Sequence, residues 1–231
     1  LKLGKKNLTE KLNFLEKLEH YTYCSLVRKK ISKRFGGKLV AFISGGAALN
    51  PDIGYFFFSL GIRIIQGYGQ TESSPLISAN PPNKPKIETV GPAIKGVEVK
   101  LSDENELLVK GDCVMKGYWK QEKETAETII DGWLHTGDIA KIDSEGYITI
   151  IDRKKEIIVN SGGDNIAPIR PESALTFHSI IQQAMVSGDR RPYLVAFIVP
   201  DPELSKKLNE DELEKNITEA VNEANKNLSQ I

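Results

Sequence analysis

Gln66-Gly67-Tyr68-Gly69-Gln70-Thr71-Glu72-Ser73-Ser74-Pro75 is the stretch on which the fold turns. Gly61-Ile62-Arg63-Ile64-Ile65 precedes it, a short β-branched run that predicts a buried strand. Serine, proline and asparagine follow and predict a loop. A glycine-bracketed turn thus leaves the end of a strand, where α/β sheets place ligands. It offers the flat face of Tyr68, the hydroxyl of Thr71, the carboxylate of Glu72 and backbone N–H groups opened by two glycines. That set suits a nucleotide, with a ring to stack, a phosphate to hydrogen-bond and a magnesium ion to hold. The competing reading is a plain polar turn, and for so short a stretch it leads until other segments join the argument.

Upstream, Leu39-Val40-Ala41-Phe42-Ile43 predicts a second buried strand, ending in Ser44-Gly45-Gly46-Ala47-Ala48. Asn50-Pro51-Asp52 caps a helix with proline at its first position. Residues 39–66 therefore predict a parallel strand–helix–strand unit. Leucines and isoleucines at helical spacing fill residues 8–34, and Gly36-Gly37 ends that pattern. Downstream, the Pro-rich Asn80–Pro85 changes the character of the chain. Residues 89–114 alternate in short segments and predict an antiparallel sheet or barrel. A short helix over 121–130, a turn at Asp131-Gly132 and a hairpin around 143–146 follow. The charged run Asp152-Arg153-Lys154-Lys155-Glu156 marks a junction. Beyond it come a glycine turn at Gly162-Gly163, a helix entered at Pro168, strands near 183–186 and 194–199, and a polar helical remainder. The expected class is α/β. A parallel α/β subdomain covers 1–85, a small β-barrel-like subdomain 86–152, and an incomplete α+β domain 153–231.

The 231 residues suffice for one large or two small cores. Lys+Arg and Asp+Glu are 31 each, a balance that argues against a broad nucleic-acid face. The cysteines, Cys24 and Cys113, lack metal-site spacing and read as reduced cytosolic thiols. No apolar run is long enough to span a bilayer.

Several turns share the pattern of small or charged residues after an apolar run. Gly45, Gly46 and Ala47 let a ligand approach the backbone closely. Gly67-x-Gly69 is followed by Glu72 where a dinucleotide fingerprint needs glycine, and no Walker A loop occurs. In Asp131-Gly132-Trp133-Leu134-His135-Thr136-Gly137-Asp138, Asp138 follows a glycine at an expected strand start, placed to accept two ribose hydroxyls. His135 lacks a serine or cysteine motif as partner and reads as structural. Arg153, beside the junction, can bind ribose or phosphate oxygens.

Together these pieces resemble the adenylate-forming superfamily. Tyr68, Gly69, Thr71 and Glu72 meet its Y-G-x-T-E pattern; Thr136, Gly137 and Asp138 meet its T-G-D; and Arg153 meets its later arginine segment. Val114-Met115-Lys116-Gly117-Tyr118-Trp119 and Ser161-Gly162-Gly163-Asp164-Asn165-Ile166-Ala167-Pro168 are most similar to the AMP-forming long-chain fatty-acid–CoA ligases. The resemblance implies roles. Gly45, Gly46 and Ala47 line the adenine and acyl carboxylate, within an ATP/AMP site that also takes in Gln66, Gly67 and Gly69. Tyr68 stacks on adenine, Thr71 binds the α-phosphate, and Glu72 holds Mg2+. Asp138 binds the ribose with help from Arg153, Lys155 is a hinge, and Ser161, Gly162 and Gly163 meet coenzyme A. The partners implied are a fatty acid and coenzyme A, in the cytoplasm or peripherally on the inner face of a membrane. The family's phosphate loop and late catalytic lysine are expected outside residues 1–231, so this stretch alone is expected to be inactive. The alternatives are a ligase for an aryl or amino acid, and a non-catalytic nucleotide-binding fragment.

Overall fold

The computed structural model describes Asn13, Leu15 and residues 28–228. The chain divides into two compact units, Leu1–Ile150 and Ile151–Ile231. The helical pattern expected over residues 8–34 falls largely outside the described residues, as does Cys24. Within it, Lys29–Arg34 forms α1, closed by Gly36 and Gly37 at φ 75° and 71°.

In the first unit, strand β1 (Phe42–Ser44) leads to α2 (Pro51–Ser59) and β2 (Ile64–Tyr68). The side chain of Asn50 accepts the Asp52 N–H and Pro51 opens the helix, as the sequence predicts. β1 and β2 pair in parallel, Phe42 beside Ile64 and Ser44 beside Gln66. Two expectations need correction. The first strand is not buried: Val40 and Ile43 are 74% and 76% exposed, because β1 pairs on one side alone among the described residues. The second strand starts three residues late and runs through Gln66, Gly67 and Tyr68, so the turn begins only at Gly69.

From Gly69 the chain makes a single 3-10 turn, Thr71–Ser73, and returns as β3 (Ser78–Ala79), antiparallel to β2. The return is tight. A Cβ at Gly69 would lie 1.6 Å from the Pro75 carbonyl oxygen. Ser73, fully buried, closes the loop by donating to the Gln70 carbonyl at 2.9 Å.

β4 (Val97–Leu101), β5 (Glu106–Gly111), α3 (Glu122–Thr128), β6 (Ile129–Ile130), β7 (Trp133–Ile142) and β8 (Ile148–Arg153) follow. The sheet order is β4-β5-β7-β6, with β8 also on β7. Asp131 and Gly132, at φ 52° and 78°, make the two-residue hairpin between β6 and β7, the conformation Asp-Gly favours. Ile77, Leu107, Val109, Leu134, Ala140 and Ile148 form the core, and Tyr68 packs against it. Residues 90–94 join the two sheets: Val90 N–H donates to Ile148 O, and Ile94 N–H to Ile77 O. Gly91 is required there, since a Cβ would lie 2.1 Å from the Ala79 carbonyl carbon. The Pro-rich segment is fastened by Lys84, which pairs with Glu145, and by Lys86 beside it, which pairs with Asp143 and Glu145; Lys86 holds the Asp143 carboxyl below its usual range, and Lys84, ahead of Lys86, does the same for Glu145.

In the second unit, β9 (Ile158–Val159) and β10 (Asn165–Ile166) form a hairpin. α4 (Ile169–Thr176) follows, then the antiparallel pair β11 (Ile181–Ser187) and β12 (Val195–Pro200), α5 (Pro202–Ser205) and α6 (Glu210–Asn227). Asn209 and Glu212 cap α6 reciprocally. Ile158, Leu175, Ile181, Val186, Ala220 and Ala224 form its core. Among the described residues no helix is long and apolar enough to cross a membrane.

The close return at Gly69 generates the first prediction. In the intact protein, Gly69→Ala should lower stability by more than about 3 kcal/mol, since backbone blocks the methyl. Gly46→Ala, at φ 83° with nothing within 4 Å, should lose only about 1 kcal/mol. Urea-denaturation midpoints compare the two, and equal midpoints would refute the steric argument.

Candidate active site

Parallel pairing brings the carboxyl ends of β1 and β2 together. A Cβ on Gly45 would sit 3.4 Å from the Gly67 carbonyl oxygen, so the exposed Gly45-Gly46-Ala47 segment lies beside the end of β2. The Gln66 carboxamide turns away from this end. It is buried and donates to the carbonyls of Ile87 and Thr89, which moors the segment after the Pro-rich stretch. That side chain is committed to the fold.

Tyr68 points its hydroxyl across to the antiparallel sheet, where it donates to Asp138 Oδ2. Asp138 is buried and lies in the middle of β7, not at a strand start. The sequence misplaces it because Gly137, read as a boundary, instead takes φ 72° inside the strand.

Thr71 opens the 3-10 turn and is exposed. Glu72 is held on two sides by residues 115–118. Its carbonyl accepts the Met115 N–H at 2.8 Å, and its Oε1 accepts the Tyr118 hydroxyl at 2.8 Å. That hydrogen bond, ahead of burial, pushes the Tyr118 phenol above its usual pKa. Tyr118 is anchored in turn, its N–H donating to Thr125 Oγ1 of α3. No three His, Cys, Asp or Glu among the described residues cluster as a metal cage. A single carboxylate fits magnesium, which takes one or two carboxylates and fills its shell with water and phosphate oxygens.

The structure therefore gathers Gly45–Ala47, Gly67, Tyr68, Gly69, Thr71, Glu72 and Asp138 within the first unit. Arg153, Lys155, Ser161, Gly162 and Gly163 belong to the second. There, Asp152 is buried and accepts the N–H groups of Arg153 and Ile169, which fixes the start of α4. Lys155 lies exposed in the turn that follows. Asn160 Oδ1 accepts the N–H groups of Gly162 and Asp164, both at 2.9 Å, so the Ser161–Gly163 turn is built on one side chain.

Two residues in the site's frame escaped the sequence reading. Tyr118 stood in a quoted motif, but nothing local ties it to a carboxylate far upstream. Glu106 was not singled out, yet it is buried and its carboxylate accepts the Gly137 N–H. An acidic residue opening an otherwise apolar run, Glu106-Leu107-Leu108-Val109, was the available signal.

A family model described as AMP-binding enzyme matches residues 10–119, and one described as AMP-binding enzyme C-terminal domain matches residues 155–231. The long-chain-fatty-acid–CoA ligase FadD15 of Mycobacterium bovis is 42% identical over 189 residues, which cover 82% of this chain and 32% of that protein. The chain thus spans about a third of that relative's length. The solved structure of the anthranilate CoA ligase AuaEII in complex with anthranoyl-AMP matches with a TM-score of 0.64 at 26% identity, covering 79% of this chain and 37% of that one. O-succinylbenzoate coenzyme A synthetase from Bacillus subtilis, in complex with ATP and a magnesium ion, matches with a TM-score of 0.63 at 28% identity, covering 74% and 40%. On both family models and these relatives, the chain belongs to the AMP-binding enzyme family.

Proposed function

We propose that the protein carrying this chain activates a long-chain fatty acid with ATP and passes the acyl group to coenzyme A. The observation that carries this reading is the convergence of Tyr68, Glu72 and Asp138 at the carboxyl end of β2, in a chain 42% identical to a long-chain-fatty-acid–CoA ligase. In the first half-reaction the fatty-acid carboxylate attacks the α-phosphate of ATP, giving acyl-AMP and pyrophosphate. In the second, the coenzyme A thiol attacks the acyl carbon and AMP leaves.

Neither step needs a protein nucleophile. Both build charge on oxygen, and fixed donors and cations stabilise it. Asp138, held by the Tyr68 hydroxyl, accepts the ribose hydroxyls. The Tyr68 ring offers the face on which adenine stacks. Thr71 donates to the α-phosphate, and Glu72, oriented by Tyr118, holds magnesium, which would neutralise phosphate charge. Arg153 assists at the ribose. Lys155 is the hinge between half-reactions, since an exposed turn at a strand end can absorb a large backbone change. The Ser161–Gly163 turn, without bulky side chains at its centre, admits the pantetheine arm.

A second reading, an aryl-acid substrate, is favoured by the likeness to the anthranilate and O-succinylbenzoate ligases. The lower identities, 26% and 28% against 42%, place it second. Acyl-CoA formation by the intact protein from a chain-length series and from anthranilate decides between them. A preference for anthranilate over palmitate would reverse the order.

Two substitutions test the site. In the intact protein, Asp138→Ala should raise the KM for ATP by about tenfold or more, the loss expected for a hydrogen bond to a charged group. An unchanged kcat/KM for ATP in pyrophosphate exchange would remove Asp138 from the ribose role. Glu72→Gln should leave the thermal midpoint within about 3 °C of the parent while raising the magnesium concentration for half-maximal exchange by about tenfold. An identical magnesium titration would reduce Glu72 to a turn residue.

A further inference from the structure

The pairing of β5 with β7 is irregular at one place. Val109 faces Leu134 and Leu108 faces His135, but Glu106 faces Ile139. Leu107 alone therefore stands opposite Thr136, Gly137 and Asp138, and β7 bulges outward there. The excess on β7 is two residues, which preserves the alternation of faces. Leu134 and Ala140 both stay in the core, fully buried. In an unbroken strand Asp138 would share their face and point its carboxylate into that core. The bulge sets the backbone at Asp138, whose carboxylate accepts the Tyr68 hydroxyl.

Side chains from both strands set the bulge. Glu106 is 7% exposed, and its Oε1 accepts the Gly137 N–H at 2.9 Å. Its Oε2 lies 3.4 Å from His135 Nδ1. Thr136 Oγ1 donates to the Leu107 carbonyl at 2.8 Å and accepts the Asp138 N–H at 3.1 Å. A bulge takes backbone groups off the ladder, and a buried N–H without an acceptor is costly. Glu106 supplies that acceptor at Gly137, whose φ of 72° turns the chain. A buried carboxylate needs a reason, and the N–H it receives lies next to the residue that faces the ribose.

We propose that Glu106 is a positioning residue for nucleotide binding: by accepting the Gly137 N–H it sets the bulge that aims Asp138 at the ribose hydroxyls. The inference rests on the ribose role proposed for Asp138. What matters is the reach of the Glu106 side chain to Gly137. Charge without reach is insufficient, and reach without charge is enough.

The test is calorimetric binding of AMP and of 2′-deoxy-AMP to the intact protein and its variants. The parent should favour AMP by about tenfold, and Asp138→Ala should erase that ratio. Glu106→Asp keeps the charge but withdraws it by one methylene, and should cut the ratio below about threefold. Glu106→Gln keeps the reach, and should hold the ratio within about twofold of the parent's. A merely structural role would weaken both nucleotides together and leave the ratio intact. The inference is overturned if Glu106→Asp retains the parental ratio, or if Glu106→Gln loses it as Glu106→Asp does. Should Glu106→Asp fail to fold, Glu106→Ser, which buries no charge and cannot reach Gly137, takes its place with the same expected loss. If the parent shows no preference, or Asp138→Ala keeps it, the ribose reading itself falls and this inference falls with it. If Asp138→Ala erases the preference and Glu106→Asp does not, only the inference falls.

Discussion

The hydrogen bond from Tyr68 to Asp138 is the constraint on which the rest of the first unit turns. One partner ends a parallel strand and the other sits in an antiparallel sheet. A hydrogen bond to a charged group contributes about 1.5–3 kcal/mol, too little to hold two sheets together. The packing does that: residues 90–94 bridge the sheets, and Ile77 shares a core with Leu107 and Ile148. The hydrogen bond specifies instead. It requires that Tyr68 end its strand facing the other sheet and that the irregular stretch of β7 bring the Asp138 carboxylate within its reach.

Much of the fold was legible because it is encoded locally. Asn50-Pro51-Asp52 makes a cap from neighbouring residues, and Asp131-Gly132 makes a hairpin from two backbone conformations. The parallel pairing of β1 and β2 followed from two apolar runs separated by a capped helix. The misreadings share one cause. Burial of residues 39–43, the run of β2 through Tyr68 and the mid-strand place of Asp138 all depend on what lies across the sheet. Periodicity reports a segment's own faces, not which of them acquires a neighbour. Gln66 shows the same limit: its amide was read with the turn because it adjoins the turn, and it serves carbonyls at Ile87 and Thr89.

The candidate site divides along the same line. Tyr68, Thr71 and Glu72 lie in one continuous motif, and Asp138 follows a glycine, so both could be singled out as candidates from the residues. The groups that orient them were not, because each acts across a long separation. Tyr118 reaches Glu72 over 46 residues, and Glu106 reaches Gly137 over 31. A carboxylate that acts through the backbone of a distant strand residue is invisible to a motif.

These separations also bear on the order in which the molecule assembles. The Asp131-Gly132 hairpin closes over two residues, whereas the Tyr68 hydroxyl meets Asp138 only once 70 residues of chain have been looped together. The entropy of closing a loop rises with its length and must be met before the contact rewards it. Among the described residues the hairpin is thus one of the cheaper contacts in the first unit to nucleate, and the junction of the two sheets is one of the costlier. Tyr68 and Asp138 come together with that junction. A ligand that bridges Tyr68 and Asp138 would therefore act on a contact of long closure, and would stabilise the finished state without hastening the early one.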